Sequence, residues 1–171
     1  MRNPAGPVLV MLVLATSAAA VAIPGQPAAA LPAYQCSRVT GGTTAVHSHI
    51  TDVRVGRHSK FDRFVIEFST RRLPHYVVPR AHSGTTFILP SGRHVKLLGK
   101  ARISVNMHYV TGVGTYHGRA DFRPRFPQLR EARRIEDFEG YVMWGLGLAH
   151  RSCKRVFKLT EPTRLVIDVP H

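Results

Sequence analysis

The irregular stretch Thr111–Pro127 (TGVGTYHGRADFRPRFP) mixes flat rings with guanidinium groups. Tyr116, Phe122 and Phe126 are interleaved with three arginines, the first of which is Arg119. Aromatic rings stack on sugars and bases, and arginine makes paired hydrogen bonds to carboxylate or phosphate. The combination is typical of a surface that binds an anionic glycan or a single nucleic-acid strand. In the structural alternative, the rings cover the edge of the fold and the arginines keep the loop soluble.

Acidic residues that could support hydrolysis cluster in one place. Glu136, Asp137 and Glu139 lie just before Gly140, and a glycosidase needs two facing carboxyl groups. Arg133 and Arg134 lie close before this cluster, so local ion pairs explain it more simply. The chain also lacks the GxSxG and HExxH motifs of hydrolases. The sequence therefore indicates a protein that is not an enzyme, and it indicates no cofactor.

The histidines and cysteines offer two further kinds of site. His47 and His49 form an HxH pair, but the surrounding arm supplies no third metal ligand except Asp52. The only cysteines are Cys36 and Cys153. If the protein is exported, a disulfide between them is chemically permitted, and it would stabilise the fold by roughly 4 kcal/mol in the chain-entropy model. Two unpaired thiols are the alternative.

The chain is strongly basic. It has 24 lysines and arginines against 10 acids, a formal net charge of +14. The excess runs along the whole sequence and is densest from Arg119 to Arg134. Such a charge attracts polyanions, including wall polymers, anionic lipid headgroups and nucleic acids. A compositional bias towards arginine is the simpler alternative, so charge alone does not identify a partner.

The elements that must position these residues are strands. Asp52–Ser69 (DVRVGRHSKFDRFVIEFS) alternates apolar and polar residues on both sides of a polar turn, and Thr163–Val169 repeats the pattern. Gly56–Asp62 is too long for a two-residue turn, so we expect a longer loop that projects from the fold there. Leu129–Phe138 fits either a strand or one short helix, and we predict a strand. The other predicted strands are His75–Val78, Thr85–Leu89, Arg93–Leu98, Ala101–Val110, Gly140–Leu148 and Arg155–Leu159.

The first thirty residues have the layout of a secretory signal peptide. Arg2 is followed by the apolar run Val8–Leu14 and by an alanine-rich stretch, with cleavage predicted after Ala22 or Ala30. The apolar run is too short for a stable membrane span. We therefore expect residues 1–30 to be a signal-peptide helix, 31–48 a flexible arm, and 49–171 one folded domain. The fold class expected is all-β, a small sandwich of two antiparallel sheets with about eight short strands.

Three segments resemble a known family. Val53–Phe68 (VRVGRHSKFDRFVIEF), Asp137–Leu148 (DFEGYVMWGLGL) and Glu161–Val169 (EPTRLVIDV) are similar to the AMIN-like domain of secreted and lipid-anchored actinobacterial proteins. The resemblance implies a β-sandwich of two small sheets. AMIN domains proper help to target wall amidases and secretin pores by binding peptidoglycan. No catalytic residue carries over from the family.

Together these observations predict a secreted domain that associates with the cell envelope by binding peptidoglycan or another anionic wall polymer. The predicted contacts are Arg57, Arg63, Tyr116 and Arg119, although Asp62 and Arg63 could instead form a local ion pair that fixes the first loop. The alternatives are a protein-interaction domain of an envelope complex and, third, a wall-active hydrolase. Export makes nucleic acid an unexpected partner.

Overall fold

The computed structural model of the protein describes residues 30–171, and within that range it contains strands and turns but no helix. The strands are β1 (Val39–Gly41), β2 (Ser48–Arg57), β3 (Phe61–Phe68), β4 (Tyr76–Val78), β5 (His82–Ser83), β6 (Thr86–Ile88), β7 (His94–Lys96), β8 (Ala101–His108), β9 (Val110–Thr111), β10 (Asp121–Phe122), β11 (Leu129–Phe138), β12 (Tyr141–Leu148), β13 (Arg155–Leu159) and β14 (Arg164–Pro170).

Two sheets form the sandwich. The larger has the order β1-β4-β8-β12-β11-β10, with β5 also paired to β8, and every pair in it is antiparallel. The smaller has the order β13-β14-β3-β2-β9 and is antiparallel except where β9 runs parallel to β2. Because β9 follows β8 after a single residue, the chain passes directly from one sheet to the other at this point.

The core lies between the two sheets and follows from strict alternation. In β3, Phe64 and Ile66 are buried while the residues between them are not, and β8 buries Ile103 and Val105 in the same way. Trp144 on β12 is fully buried, with its ring centroid 5.5 Å from that of Phe64. Burial of one such side chain stabilises the fold by about 2–3 kcal/mol. The sequence pattern thus determines which face of each sheet turns inward.

A two-stranded sheet, β6 with β7, covers the outer face of the larger sheet as a third layer. Phe87 of β6 and Leu97, the residue after β7, form a second apolar cluster with Ile135 and Met143. A Cβ at Gly145 would lie 2.8 Å from Phe87 Cε2 and 2.9 Å from Leu97 Cδ1, which is closer than packed carbons allow. From Trp144 to Leu148, strand β12 is therefore buried on both faces, which explains its continuous apolar sequence.

The all-β fold with two main sheets is confirmed, and β11 is a strand rather than a helix. Two expectations are wrong. Gly56–Asp62 is not a long loop, because β2 and β3 leave only residues 58–60 between them. The segment 31–48 is not a loose arm: it contains β1 and a β-bridge from Gln35 to Lys154. The expected signal peptide lies almost entirely outside the described residues.

Candidate anion-binding groove

Two of the predicted contacts lie at the hairpin between β2 and β3. Arg57 is exposed and stands opposite Asp62, so the two side chains project from the same face of the sheet. Arg63, one residue further along, projects from the opposite face because side chains alternate along a strand. The structure therefore places these two arginines on different faces, and they do not form one contact surface.

Arg63 belongs to a compact charged cluster on the outer face of the smaller sheet. Asp168 is fully buried, and its carboxylate accepts hydrogen bonds from Arg63 (Nε to Oδ1 2.7 Å, Nη2 to Oδ2 2.9 Å) and from Arg155 (Nη2 to Oδ2 2.6 Å). The Arg63 guanidinium also lies 5.1 Å from the ring centroid of Phe61 and 5.4 Å from that of Phe157. Arg63 is thus already engaged by an internal partner.

The predicted local ion pair between Asp62 and Arg63 is wrong, because Asp62 points into the sandwich. Its buried Oδ2 accepts hydrogen bonds from the backbone N–H groups of Gln128 (2.7 Å) and Leu129 (2.8 Å). Its Oδ1 lies 3.0 Å from Nε2 of His171. Asp62 therefore fixes the start of β11 against β3. Its two hydrogen bonds to the backbone span 66 and 67 positions of the sequence.

Tyr116 and Arg119 lie in the long loop between β9 and β10, and only Arg119 is exposed. The Tyr116 ring is 8% exposed and belongs to the main core, where its hydroxyl donates to the carbonyl of Arg119 (2.9 Å). Burial raises the pKa of this hydroxyl. The prediction of Tyr116 as a stacking platform is thus replaced by a role in folding the loop. The Arg119 guanidinium lies 5.7 Å from the ring centroid of Phe122.

A different set of cations surrounds an open groove. The groove has a volume of about 650 Å³ and is lined by Leu98, Gly99, Lys100, Arg125, Arg130, Ala149 and His150. Three of these residues carry permanent positive charge and His150 is a fourth basic residue, whereas no residue of the lining is acidic. Lys100, Arg125 and His150 are exposed, and Arg130 is half-buried.

The ends of three neighbouring strands bring these residues together. Ala101 at the start of β8 pairs with Leu148 at the end of β12, which places Lys100 beside Ala149. Leu129 at the start of β11 also pairs with Leu148, which brings Arg130 to the same edge. Residues far apart in the sequence thus meet because their strands share one register.

Arg125 reaches the groove from a tight turn. Its φ angle is +53°, a left-handed conformation that costs a residue with a side chain roughly 1–2 kcal/mol. Arg130 supports this turn through a weak contact from Nη1 to the Arg125 carbonyl (3.4 Å), and Phe126 donates its backbone N–H to Leu129 (2.9 Å). The fold therefore maintains a strained backbone at the point where this guanidinium meets the groove.

Glu131, the acid that follows Arg130, is not part of the groove lining. Glu131 is buried, and its Oε2 accepts a hydrogen bond from the backbone N–H of Leu98 (2.7 Å). Its Oε1 lies 2.7 Å from Nη2 of Arg133, although outside good hydrogen-bond geometry. Asp121 pairs with Arg133 and Arg123 in the same network. The carboxylates of this region are thus engaged by other arginines, and the groove keeps its positive charge.

The N-terminal segment covers part of the smaller sheet and is attached to it by the Cys36–Cys153 disulfide. The ring centroid of Tyr34 lies 4.8 Å from the guanidinium carbon of Arg155. Lys154 is fully buried beneath this segment, where its Nζ donates to the carbonyl of Ser37. Burial lowers the pKa of this amine from its ordinary value of 10.5.

Within the cluster Glu136, Asp137 and Glu139, one acid is engaged by local partners. Asp137 accepts hydrogen bonds from Nη1 of Arg134 (3.0 Å) and from the backbone of Gly112 (3.0 Å), as local pairing predicts. Among residues 30–171, no group of three or more histidines, cysteines and acids is arranged to hold a metal ion. Over the same range, no helix is long and apolar enough to cross a membrane.

The groove draws on the arginine-rich stretch that the sequence singled out, but its lining includes none of the four predicted contacts. The dense arginine stretch from Arg119 to Arg134 contains both Arg125 and Arg130. Of its six arginines, Arg123, Arg133 and Arg134 pair with carboxylates. Lys100 and His150 carry no local signal, because their position depends on the pairing of β8 with β12.

Comparison with known proteins identifies the family of this chain. The family model of the AMIN-like domain matches residues 48–171. Comparisons with curated proteins and with solved structures each gave no match. AMIN-like domains are envelope-associated and are generally non-catalytic binding domains. Because the match covers well over half of its 171 residues, the chain belongs to the AMIN-like domain family.

Proposed function

We propose that this domain binds peptidoglycan or another anionic wall polymer through the basic groove formed by Lys100, Arg125, Arg130 and His150. The observation that carries the proposal is a groove of about 650 Å³ that has four basic residues and no acid in its lining. A groove of this size falls in the range that encloses small ligands or a few sugar units. The envelope association of the family supports a wall polymer as the anion.

The chemistry of the lining fits a charged glycan. The guanidinium groups of Arg125 and Arg130 offer paired donors to carboxylate or phosphate, and Lys100 adds a mobile positive charge. Leu98 is 38% exposed and supplies an apolar surface for the less polar face of a sugar ring. The proposal includes export of the chain, for which the N-terminal leader is the sequence support, and a binding role without catalysis.

Sedimentation with purified wall sacculi tests this proposal. In the variant Arg125→Gln/Arg130→Gln, we expect the affinity for sacculi to fall at least tenfold, because each lost charged hydrogen bond contributes about 1.5–3 kcal/mol. The matched control is Arg57→Gln/Arg119→Gln, which removes the same charge from exposed positions outside the groove. An equal loss in both variants would show diffuse attraction to net charge and would contradict a specific groove.

A salt series adds a second criterion. Attraction between exposed charges is screened beyond about 8–10 Å at physiological ionic strength. Binding that combines hydrogen bonds with sugar packing on Leu98 should persist in part at 0.5 M salt. Failure of the wild-type protein to sediment even at low salt would refute the proposal.

A further inference from the structure

A second groove has the opposite chemical character. It has a volume of about 530 Å³ and lies where the β11–β12 turn meets the end of β6. Its apolar lining includes Ile88 and Phe138, which are 69% and 66% exposed and are the two most exposed large apolar side chains among residues 30–171. Met143 and Pro90 extend this apolar surface.

Two carboxylates stand at the rim of this groove without an ion-pair partner. Seven of the ten acids of the chain pair with an arginine or a histidine. Within residues 30–171, only Glu136, Glu139 and Glu161 make no such pair, and the first two both line this groove. Free acids are unexpected in a chain with a formal charge of +14, because cations are available almost everywhere.

The backbone conformation at Glu139 indicates that this acid has been selected at its position. Glu139 has a φ angle of +48° in the turn that joins β11 to β12, a conformation that asparagine or glycine adopts at lower cost. Burial, and after it the charge of Glu136, raises the pKa of Tyr141 at the edge of the groove. Arg93 donates to the carbonyl of Ile135 (3.1 Å) and forms no ion pair within residues 30–171. This arginine therefore leaves both carboxylates free.

From this geometry we infer that the groove between Ile88, Phe138, Glu136 and Glu139 is a docking site for a short segment of a partner protein that carries a basic side chain beside aliphatic ones. Charge complementarity selects this occupant. The aliphatic residues of the segment cover Ile88 and Phe138, and its cation lies between the two glutamates. The inference is independent of the basic groove, which lies at the opposite ends of β11 and β12.

The test uses two labelled peptides, one with alternating leucine and lysine and one with glutamate in place of lysine. Their affinities for the full mature chain are measured by fluorescence anisotropy, and the contact residues are mapped by amide chemical shifts. We expect the lysine peptide to bind at least tenfold more tightly, although the protein as a whole repels it. The shift changes should centre on residues 88–90 and 136–143.

Three variants separate docking from folding. Glu136→Gln/Glu139→Gln should weaken binding of the lysine peptide at least tenfold. Glu161→Gln removes the third free acid, which lies outside the groove, and should change the affinity for this peptide less than twofold. Glu139→Asn should weaken binding while raising the melting temperature by about 2–5 °C, because the strained turn is relieved. Loss of binding with higher stability cannot result from misfolding.

Several results would overturn the inference. These are equal binding of the two peptides, no binding of the lysine peptide at millimolar concentration, or shift changes that map elsewhere. Concentration-dependent dimerisation that Phe138→Ser abolishes would identify a second copy of the chain as the occupant instead. None of these results bears on the wall-polymer proposal, which depends on Arg125 and Arg130.

Discussion

The molecule contains two groups of arginines that differ in what surrounds them. Arg63 and Arg155 share the buried carboxylate of Asp168 and contact aromatic rings, so their positive charge is partly balanced and their donors are used. Arg125 and Arg130 line an open groove without an acid. The first group stabilises the smaller sheet, and the second is available to a ligand.

This difference shows that the density of arginine along a sequence does not locate a binding surface. The deciding factor is whether the fold brings a carboxylate to each guanidinium. Asp168 lies 105 residues from Arg63 in the sequence and directly opposite it in the β3–β14 ladder. Topology therefore decides which cations hold the fold together and which remain free.

The largest expected effect follows from removing the shared carboxylate. Asp168→Ala leaves two largely buried guanidinium groups unpaired, so the free energy of unfolding should fall by about 3–5 kcal/mol. Urea denaturation measures the change. Asp121→Asn is the control, because its pairs are more exposed and should contribute much less. If both variants lost the same small amount, the Asp168 cluster would not be the stabilising region proposed here.

The sequence predicted the strands that alternate and was ambiguous where bulges occur. Strands β3 and β14 were predicted from their apolar–polar period; β3 buries every second residue, whereas β14 is buried on both faces from Leu165 to Val169. Leu129–Phe138 was ambiguous because bulges between Leu129 and Glu131 and between Arg134 and Glu136 shift its side chains between faces. The pairing of Gln35 with Lys154 has no local signal, so the N-terminal segment was predicted to be loose. The groove was missed for the same reason, since three strand ends form it.

The disulfide attaches the segment that carries Tyr34 beside Arg155, so removing it should change the surroundings of the first group of arginines. Cys36→Ser/Cys153→Ser removes a crosslink between residues 117 positions apart, and we expect a loss of about 2–4 kcal/mol in unfolding free energy. It should also release Tyr34 from Arg155, which limited proteolysis after residues 34–38 would detect as faster cleavage. Reduction of the wild-type protein should reproduce both effects. Unchanged proteolysis would show that β1 and the Gln35–Lys154 bridge are sufficient to fix the segment.

An acid introduced beside the second group of arginines should balance their charge, as Asp168 does for the first group. Ala149→Asp places a carboxylate among Lys100, Arg130 and His150. We expect sacculus binding to fall about tenfold, equivalent to about 1.4 kcal/mol, while stability changes by less than about 1 kcal/mol. Ala149→Asn controls for side-chain size and should retain most of the binding. If the two variants behaved alike, shape rather than charge would determine binding at the groove.

The smallest expected effect concerns a cation that belongs to neither group. Lys154 is fully buried without a carboxylate partner, so Lys154→Met should stabilise the fold by about 1 kcal/mol at pH 7. The lowered pKa of Lys154 fixes the sign of the pH dependence. Below the folded-state pKa both states bind the proton and the penalty is complete, whereas it disappears as the pH rises towards 10.5. The advantage of Lys154→Met in urea denaturation should therefore shrink as the pH rises towards 10.5. A constant advantage would attribute it to packing alone.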